Sequence, residues 1–204
     1  MNCNYLEVFA PEPDKTILHN LDITFEKGTI YGITGHNGSG KTMLLRLISG
    51  MILPTTGKIE FNTDLEIGII IETPNFIPEI SAFKNLKLLA IIKNKITDEQ
   101  IKQTLTDVGL APDNPLPVKK YSLGMRQRLA IAQAIMEDQK ILLLDEPLNA
   151  IDAKGIDQIG NLLLKKKQAG ATILLATHRS EEINKFCDIV LEISDGKLSS
   201  KNTL

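Results

Sequence analysis

Eight consecutive residues, Gly35-His36-Asn37-Gly38-Ser39-Gly40-Lys41-Thr42, carry the strongest chemical signal in the chain. They fit G-x-x-x-x-G-K-[ST], a loop whose backbone N–H groups cradle phosphate oxygens. Glycines suit it because a Cβ would obstruct the inward turn of those N–H groups. Lys41 supplies a point charge for terminal phosphates, and the Thr42 hydroxyl is placed for Mg²⁺. An apolar stretch, Ile30–Ile33, precedes the loop, and an apolar helical pattern, Met43–Ile48, follows it. The positive end of that helix would point at the same phosphates. A second chemical pair stands after four aliphatic residues, where Ile141–Leu144 run into Asp145 and Glu146. In open α/β sheets ligands sit outside the carboxyl ends of strands. There Asp145 can hold Mg²⁺, directly or through water, and Glu146 can orient and deprotonate an attacking water.

Other elements must bring these groups together. Leu6–Phe9, Leu21–Phe25, Lys58–Phe61 and Ile67–Ile71 read as strands beside Ile30–Ile33. Pro11–Asp14 reads as a turn, and Glu26-Lys27-Gly28 as a hairpin-type connection. The middle of the chain changes character. Ser81–Lys93 has helical periodicity, Thr97–Val108 opens with a capping box of Thr97 and Gln100, and Ser122 is placed to cap a helix running to Glu137. The last third alternates strand Ile141–Leu144, helix Gly155–Lys167, strand Thr172–Ala176, helix Ser180–Phe186 and strand Ile189–Ile193. Such alternation predicts a mainly parallel sheet covered on both faces, with the helical middle, about residues 74–137, inserted into one domain spanning 1–204. The tail from Ser199 to Leu204 reads as polar and disordered.

Composition narrows the classes. The chain has 204 residues, 43% hydrophobic and 24% charged, which is enough apolar material for a core. A net charge of −2 leaves no electrostatic footprint for a nucleic-acid binder. The two cysteines, Cys3 and Cys187, form no disulfide framework or zinc pattern and read as reduced thiols of a cytosolic protein. The longest apolar runs fall far short of the roughly 18 residues a membrane span needs. Glu7, Glu12 and two prolines stand where a secretory leader would need an apolar stretch. A GTPase reading fails because Asn94-Lys95-Ile96-Thr97 ends in Thr and lies between helices. A small-molecule kinase reading lacks a lid signature.

The motifs, in this order and over nearly the whole chain, resemble the ATP-binding subunit of an ATP-binding cassette (ABC) transporter. Gly35–Thr42 resembles its Walker A loop, Tyr121–Arg128 the start of its signature helix, and Ile141–Glu146 its Walker B strand. Asn149–Asp152 looks like the D-loop, and His178 like the switch histidine. The resemblance implies a P-loop core with an N-terminal antiparallel β subdomain and an inserted helical subdomain. It implies binding of ATP and Mg²⁺ by residues 35–42, with Thr42, Asp145 and Glu72 at the metal and Lys41, Glu146 and His178 in catalysis. It further implies a head-to-tail dimer, with itself or with a second cassette. Ser122 and Gly124 of one copy would cap the γ-phosphate held by the other. An integral-membrane permease would hold the chain at the inner face of the membrane. Its coupling helices would meet the segment after Glu72, where Phe76 and Ile77 suggest a docking patch.

Three departures stand out. The signature reads Ser122-Leu123-Gly124 where the family has Ser-Gly-Gly. Glu72 replaces the usual Gln in the loop after the central strand. The adenine-stacking aromatic has two candidates, Phe9 and Tyr5. The stretch Ile71–Phe76 with Tyr121–Met125 is similar to exporters for antibiotic resistance, lantibiotic immunity and related drug or peptide efflux. The alternative is a soluble single-cassette ATPase in a non-transport role such as Fe–S cluster assembly. A regulatory nucleotide switch with negligible turnover is a third reading.

Overall fold

The computed structural model describes residues 2–9, 16–61, 66–72 and 74–201. In chain order the elements are β1 (Asn2–Phe9), β2 (Thr16–Thr24), β3 (Ile30–Thr34), α1 (Lys41–Ile48), β4 (Thr56–Glu60), β5 (Ile67–Ile70), α2 (Ala82–Lys93) and α3 (Asp98–Asp107). After a 3-10 turn at Val118–Lys120 come α4 (Leu123–Ile135), β6 (Ile141–Asp145), α5 (Ala153–Gln168), β7 (Thr172–Ala176), α6 (Ser180–Phe186), β8 (Ile189–Ser194) and β9 (Lys197–Lys201).

Six strands form one sheet of order β5-β6-β7-β3-β8-β9, parallel except for β9, which runs antiparallel to β8. Alternation along each strand divides its side chains between two layers. Leu142 and Leu144 join Ile173 and Leu175 under the helical segment, against buried residues of α2 to α5. Ile141 and Leu143 join Leu174 and Ala176 on the other face, against Leu44, Leu45 and Ile48 of α1. Both faces are dry, so these strands are continuous aliphatic runs rather than alternating ones. Each fully buried Leu or Ile contributes roughly 1.5–3 kcal/mol. Where β5 passes α4, Gly68 is required by space, since a Cβ there would fall 1.9 Å from the Ala134 carbonyl oxygen.

Two helical caps form as the sequence predicts: Ser122 accepts from Met125 N, and the Thr97–Gln100 capping box is complete. The structure adds a third, Ser81, which accepts from Lys84 N at the start of α2. Two expectations differ. Glu26-Lys27-Gly28 is not a hairpin, because β2 pairs with β1 in a separate antiparallel sheet, β2-β1-β4. The two edges of β3 are taken by β7 and β8, so β2 has no edge to join. The tail differs too. Ser199–Lys201 belong to β9, which closes the free edge of β8 in register Val190↔Lys201 through Ser194↔Lys197. The predicted turn Pro11–Asp14 lies outside the described residues, as do residues 202–204.

Candidate active site

The three chemical segments leave neighbouring strands at the same sheet end. β6 delivers Asp145 and Glu146, β7 leads to His178, and β3 leads into the phosphate loop. The loop turns through left-handed backbone at Gly38 (φ 82°) and at Gly40, the residue preceding α1 (φ 109°). Nothing lies within 4 Å of the place a Gly38 Cβ would take, so that face is open to a ligand. Lys41 is 9% exposed, and its ammonium donates to the Gly35 and His36 carbonyl oxygens at 2.8 and 3.1 Å. Those bonds fold the lysine back over the loop it serves. The His36 ring is exposed, with Nδ1 2.8 Å from the Asn37 carbonyl oxygen.

Thr42 Oγ1 donates to Asp145 Oδ2 at 2.5 Å. Burial raises the Asp145 carboxyl above its ordinary value. The Thr42 hydrogen bond opposes that shift, the Glu146 charge reinforces it, and Lys41 and Arg46 pull it back. Asp145 therefore holds a negative charge that its surroundings only partly compensate, and a cation between Thr42 and Asp145 would relieve it.

Glu146 sits at φ 47°, a conformation that costs a non-glycine residue about 1–3 kcal/mol. Its amide donates to the Ala176 carbonyl oxygen at 2.8 Å. One carboxylate oxygen, Oε1, is 2.7 Å from His178 Nδ1. The other, Oε2, is buried with no hydrogen-bond partner among the described residues. Ser39 Oγ in the phosphate loop is likewise buried and unpartnered there. Two orphaned oxygens beside a glycine loop and a Thr–Asp pair fit a triphosphate with its Mg²⁺ and a water.

A cleft of about 660 Å³ joins these groups, lined among others by Gly40, Lys41, Thr42, Asp145 and Glu146. Asn37, Gly38 and Glu72 also border it, while Gly35, His36 and Ser39 form the loop behind. Glu72 is turned toward α1, where it pairs with Arg46, and no group of three His, Cys, Asp or Glu side chains converges among the described residues. Leu123 lines the cleft, whereas Ser122 caps α4 and Gly124 packs against the Ala150 carbonyl oxygen. The backbone of Phe9 pairs with Thr16, and its side chain and that of Tyr5 lie outside what is described.

Several supporting residues escape sequence reasoning. Gln127 Nε2 donates to the Pro147 carbonyl oxygen at 2.9 Å and braces the turn after Glu146. Glu182, 5% exposed, accepts from Thr177 Oγ1 at 2.8 Å, and the Arg179 amide donates to that hydroxyl at 3.2 Å. Together they fix the turn that carries His178. The Gln127 bond depends on how two elements cross, and no spacing rule marks it; the Thr177–Glu182 and Thr177–Arg179 bonds are local.

The ABC transporter family profile matches residues 18–149. The uncharacterized ABC transporter ATP-binding protein YybJ of Bacillus subtilis is 49% identical over 91% of this chain and 89% of its own length. The lantibiotic transport ATP-binding protein SrtF of Streptococcus pyogenes is 35% identical over 90% of this chain and 83% of its own. The bacitracin transport ATP-binding protein BcrA of Enterococcus faecalis is 34% identical over 91% of this chain, which spans only 64% of that relative. The dimeric MJ0796 ABC transporter cassette superposes on all of this chain and 99% of its own with a TM-score of 0.86 at 23% identity, a likeness of fold. By family profile and relatives together, the chain belongs to the ABC transporter family, as one of its ATP-binding ATPase subunits.

Proposed function

We propose that this chain hydrolyses MgATP to power export of a drug, peptide or bacteriocin-like substrate through a separate membrane permease. The observation that carries the reading is the pairing of Thr42 with Asp145 beside a Glu146 oxygen that is buried with no hydrogen-bond partner among the described residues. The names of SrtF and BcrA support the export class. The domain runs over residues 1–204, with about 74–137 as its inserted helical part.

In the proposed reaction residues 35–42 bind the phosphates, and Lys41 exchanges its loop carbonyls for phosphate oxygens. Thr42 and Asp145 would hold Mg²⁺, which would supply positive charge to offset that of the phosphates. Glu72, now paired with Arg46, would join them as a third holder if that pair opened. Glu146 Oε2 accepts the proton of the attacking water, while His178 occupies Oε1 and fixes the carboxylate's orientation. Ser122 and Gly124 of a second cassette, identical or different, complete the site across a dimer seam. Phe9 or Tyr5 stacks on adenine.

The permease docks at a groove of about 510 Å³ between the β5 edge and the helical segment, whose lining includes Met51, Ile69, Leu89 and Ile92. Met51 and Ile92 are 58% and 79% exposed. Phe76 packs against the helical core, whereas Ile77 is 47% exposed. Ile77 is held by Asn85, which accepts from its amide at 2.8 Å and donates to its carbonyl at 3.1 Å. The docking position keeps the chain on the inner face of the cell membrane. A mild-detergent pull-down of the tagged Glu146→Gln chain in MgATP tests the reading. A nucleotide-dependent dimer with a stoichiometric multi-span protein is expected. Recovery of soluble partners alone would favour the non-transport alternative.

A further inference from the structure

Arg128 lies one residue past Gln127 on α4 and reaches away toward two other segments. Its side chain is 15% exposed. Nη1 donates to the Val108 carbonyl oxygen at 2.7 Å and reaches Gln158 Oε1 at 3.4 Å. Nη2 donates to Asp152 Oδ1 at 3.0 Å. Gln158 in turn donates to the Asp107 carbonyl oxygen at 2.9 Å. Two glycines leave room for the fork. A Cβ on Gly109 would lie 2.4 Å from Nη1, and one on Gly155 would lie 2.1 Å from Nη2. Val108 is the C-cap of α3, so the cation also sits at the negative end of that helix. A planar guanidinium can serve both directions at once, whereas a lysine ammonium is a single point of attachment.

The two attachments differ in kind. Asp107 and Val108 end α3, inside the helical segment that borders the docking groove through α2. Asp152 ends the turn that begins at Glu146 and passes Ala150, which lines the nucleotide cleft and abuts Gly124. We propose that Arg128 is a positioning residue that locks the end of α3 to the turn 147–152, so that a displacement of the helical segment is transmitted to the backbone following Glu146. The functional half of this inference rests on the ATPase reading; the mechanical half does not.

Hydrogen exchange separates the two. Arg128→Lys should raise exchange of amides in residues 147–152 and 107–110 together, by about tenfold, while those of β7 stay within about twofold of the native rate. Gly109→Ala, whose added methyl displaces the guanidinium without touching residues 147–152 themselves, should loosen those residues in the same way. The pair Gly109→Ala with Arg128→Ala should loosen them no more than Arg128→Ala alone. ATP turnover by Arg128→Lys should fall at least about fivefold in kcat with KM within about twofold. Unchanged exchange at 147–152 in both single variants overturns the proposal, as does a rise spread evenly over β7. If Arg128→Lys fails to fold, Gly109→Ala alone decides it. Coupled exchange with full turnover would leave the lock intact and overturn its role in hydrolysis.

Discussion

Replacing Thr42 with Val tests the Thr42–Asp145 pair most directly. The two side chains are nearly isosteric and of similar helix propensity, so the change removes a hydroxyl and little else. That hydroxyl donates to Asp145 Oδ2 at 2.5 Å. A hydrogen bond to a charged group is worth about 1.5–3 kcal/mol, and one to a neutral group about 0.5–1.5 kcal/mol. Asp145 is raised first by burial and then by the Glu146 charge, with the Thr42 bond as the leading opposing cause. Losing the bond raises it further. The sign follows from linkage: a carboxyl raised on folding contributes stability that is fully present below its unfolded pKa and lost as pH rises through its folded one. The destabilisation by Thr42→Val should therefore be about 1.5–3 kcal/mol near neutral pH and shrink as Asp145 takes up a proton. Urea unfolding of the nucleotide-free protein over a series of pH values from about 7.5 downward measures both, with Thr42→Ser as the control that keeps the donor. Addition of MgATP should stabilise the native chain and Thr42→Ser, and Thr42→Val much less. A penalty below about 0.5 kcal/mol at neutral pH, or one that does not fall over the acid range in which the native chain stays folded, would refute the reasoning.

Two further outcomes follow. Gly68→Ala places a methyl 1.9 Å from the Ala134 carbonyl oxygen, so β5 and α4 must separate; a loss of about 1–3 kcal/mol or more is expected in chemical denaturation. The Cys187 thiol is pushed up to about 12 by burial, then by the Asp188 and Glu182 charges, so alkylation at about pH 8 should be slow in the folded chain and fast in urea, read by mass spectrometry of the Cys187 peptide.

Legibility followed the range of the physics involved. The phosphate loop is local: its glycines, Lys41 and Thr42 stand together in sequence, and strand and helix flank them directly. Asp145 and Glu146 were readable because four aliphatics mark a buried strand and acids at its end need a reason. Caps at Thr97 and Ser122 are decided within four residues. The Glu26-Lys27-Gly28 turn has hairpin composition, yet which sheet receives the next strand depends on partners far along the chain. β9 was missed because an edge strand with one covered face carries lysines and serines. Arg46 beside Glu72, and Arg128 between Val108 and Asp152, arise from helix placement. Neither has a spacing that a periodicity argument could detect.

The neighbours of β3 have a consequence for synthesis. Its register runs Ile30↔Ile173 to one side and Tyr31↔Ile189 to the other. A chain emerging amino end first at roughly 5–20 residues per second has its phosphate loop within the first quarter, but neither strand that supports it. Until Thr172 leaves the ribosome, β3 is an apolar ribbon with both edges bare and β6 waits beside it without its bridge, β7. The nucleotide site is thus among the last parts of the protein to become foldable. A nascent chain stalled before β7 would expose those strands to chaperones or to one another, and ATP could not rescue it.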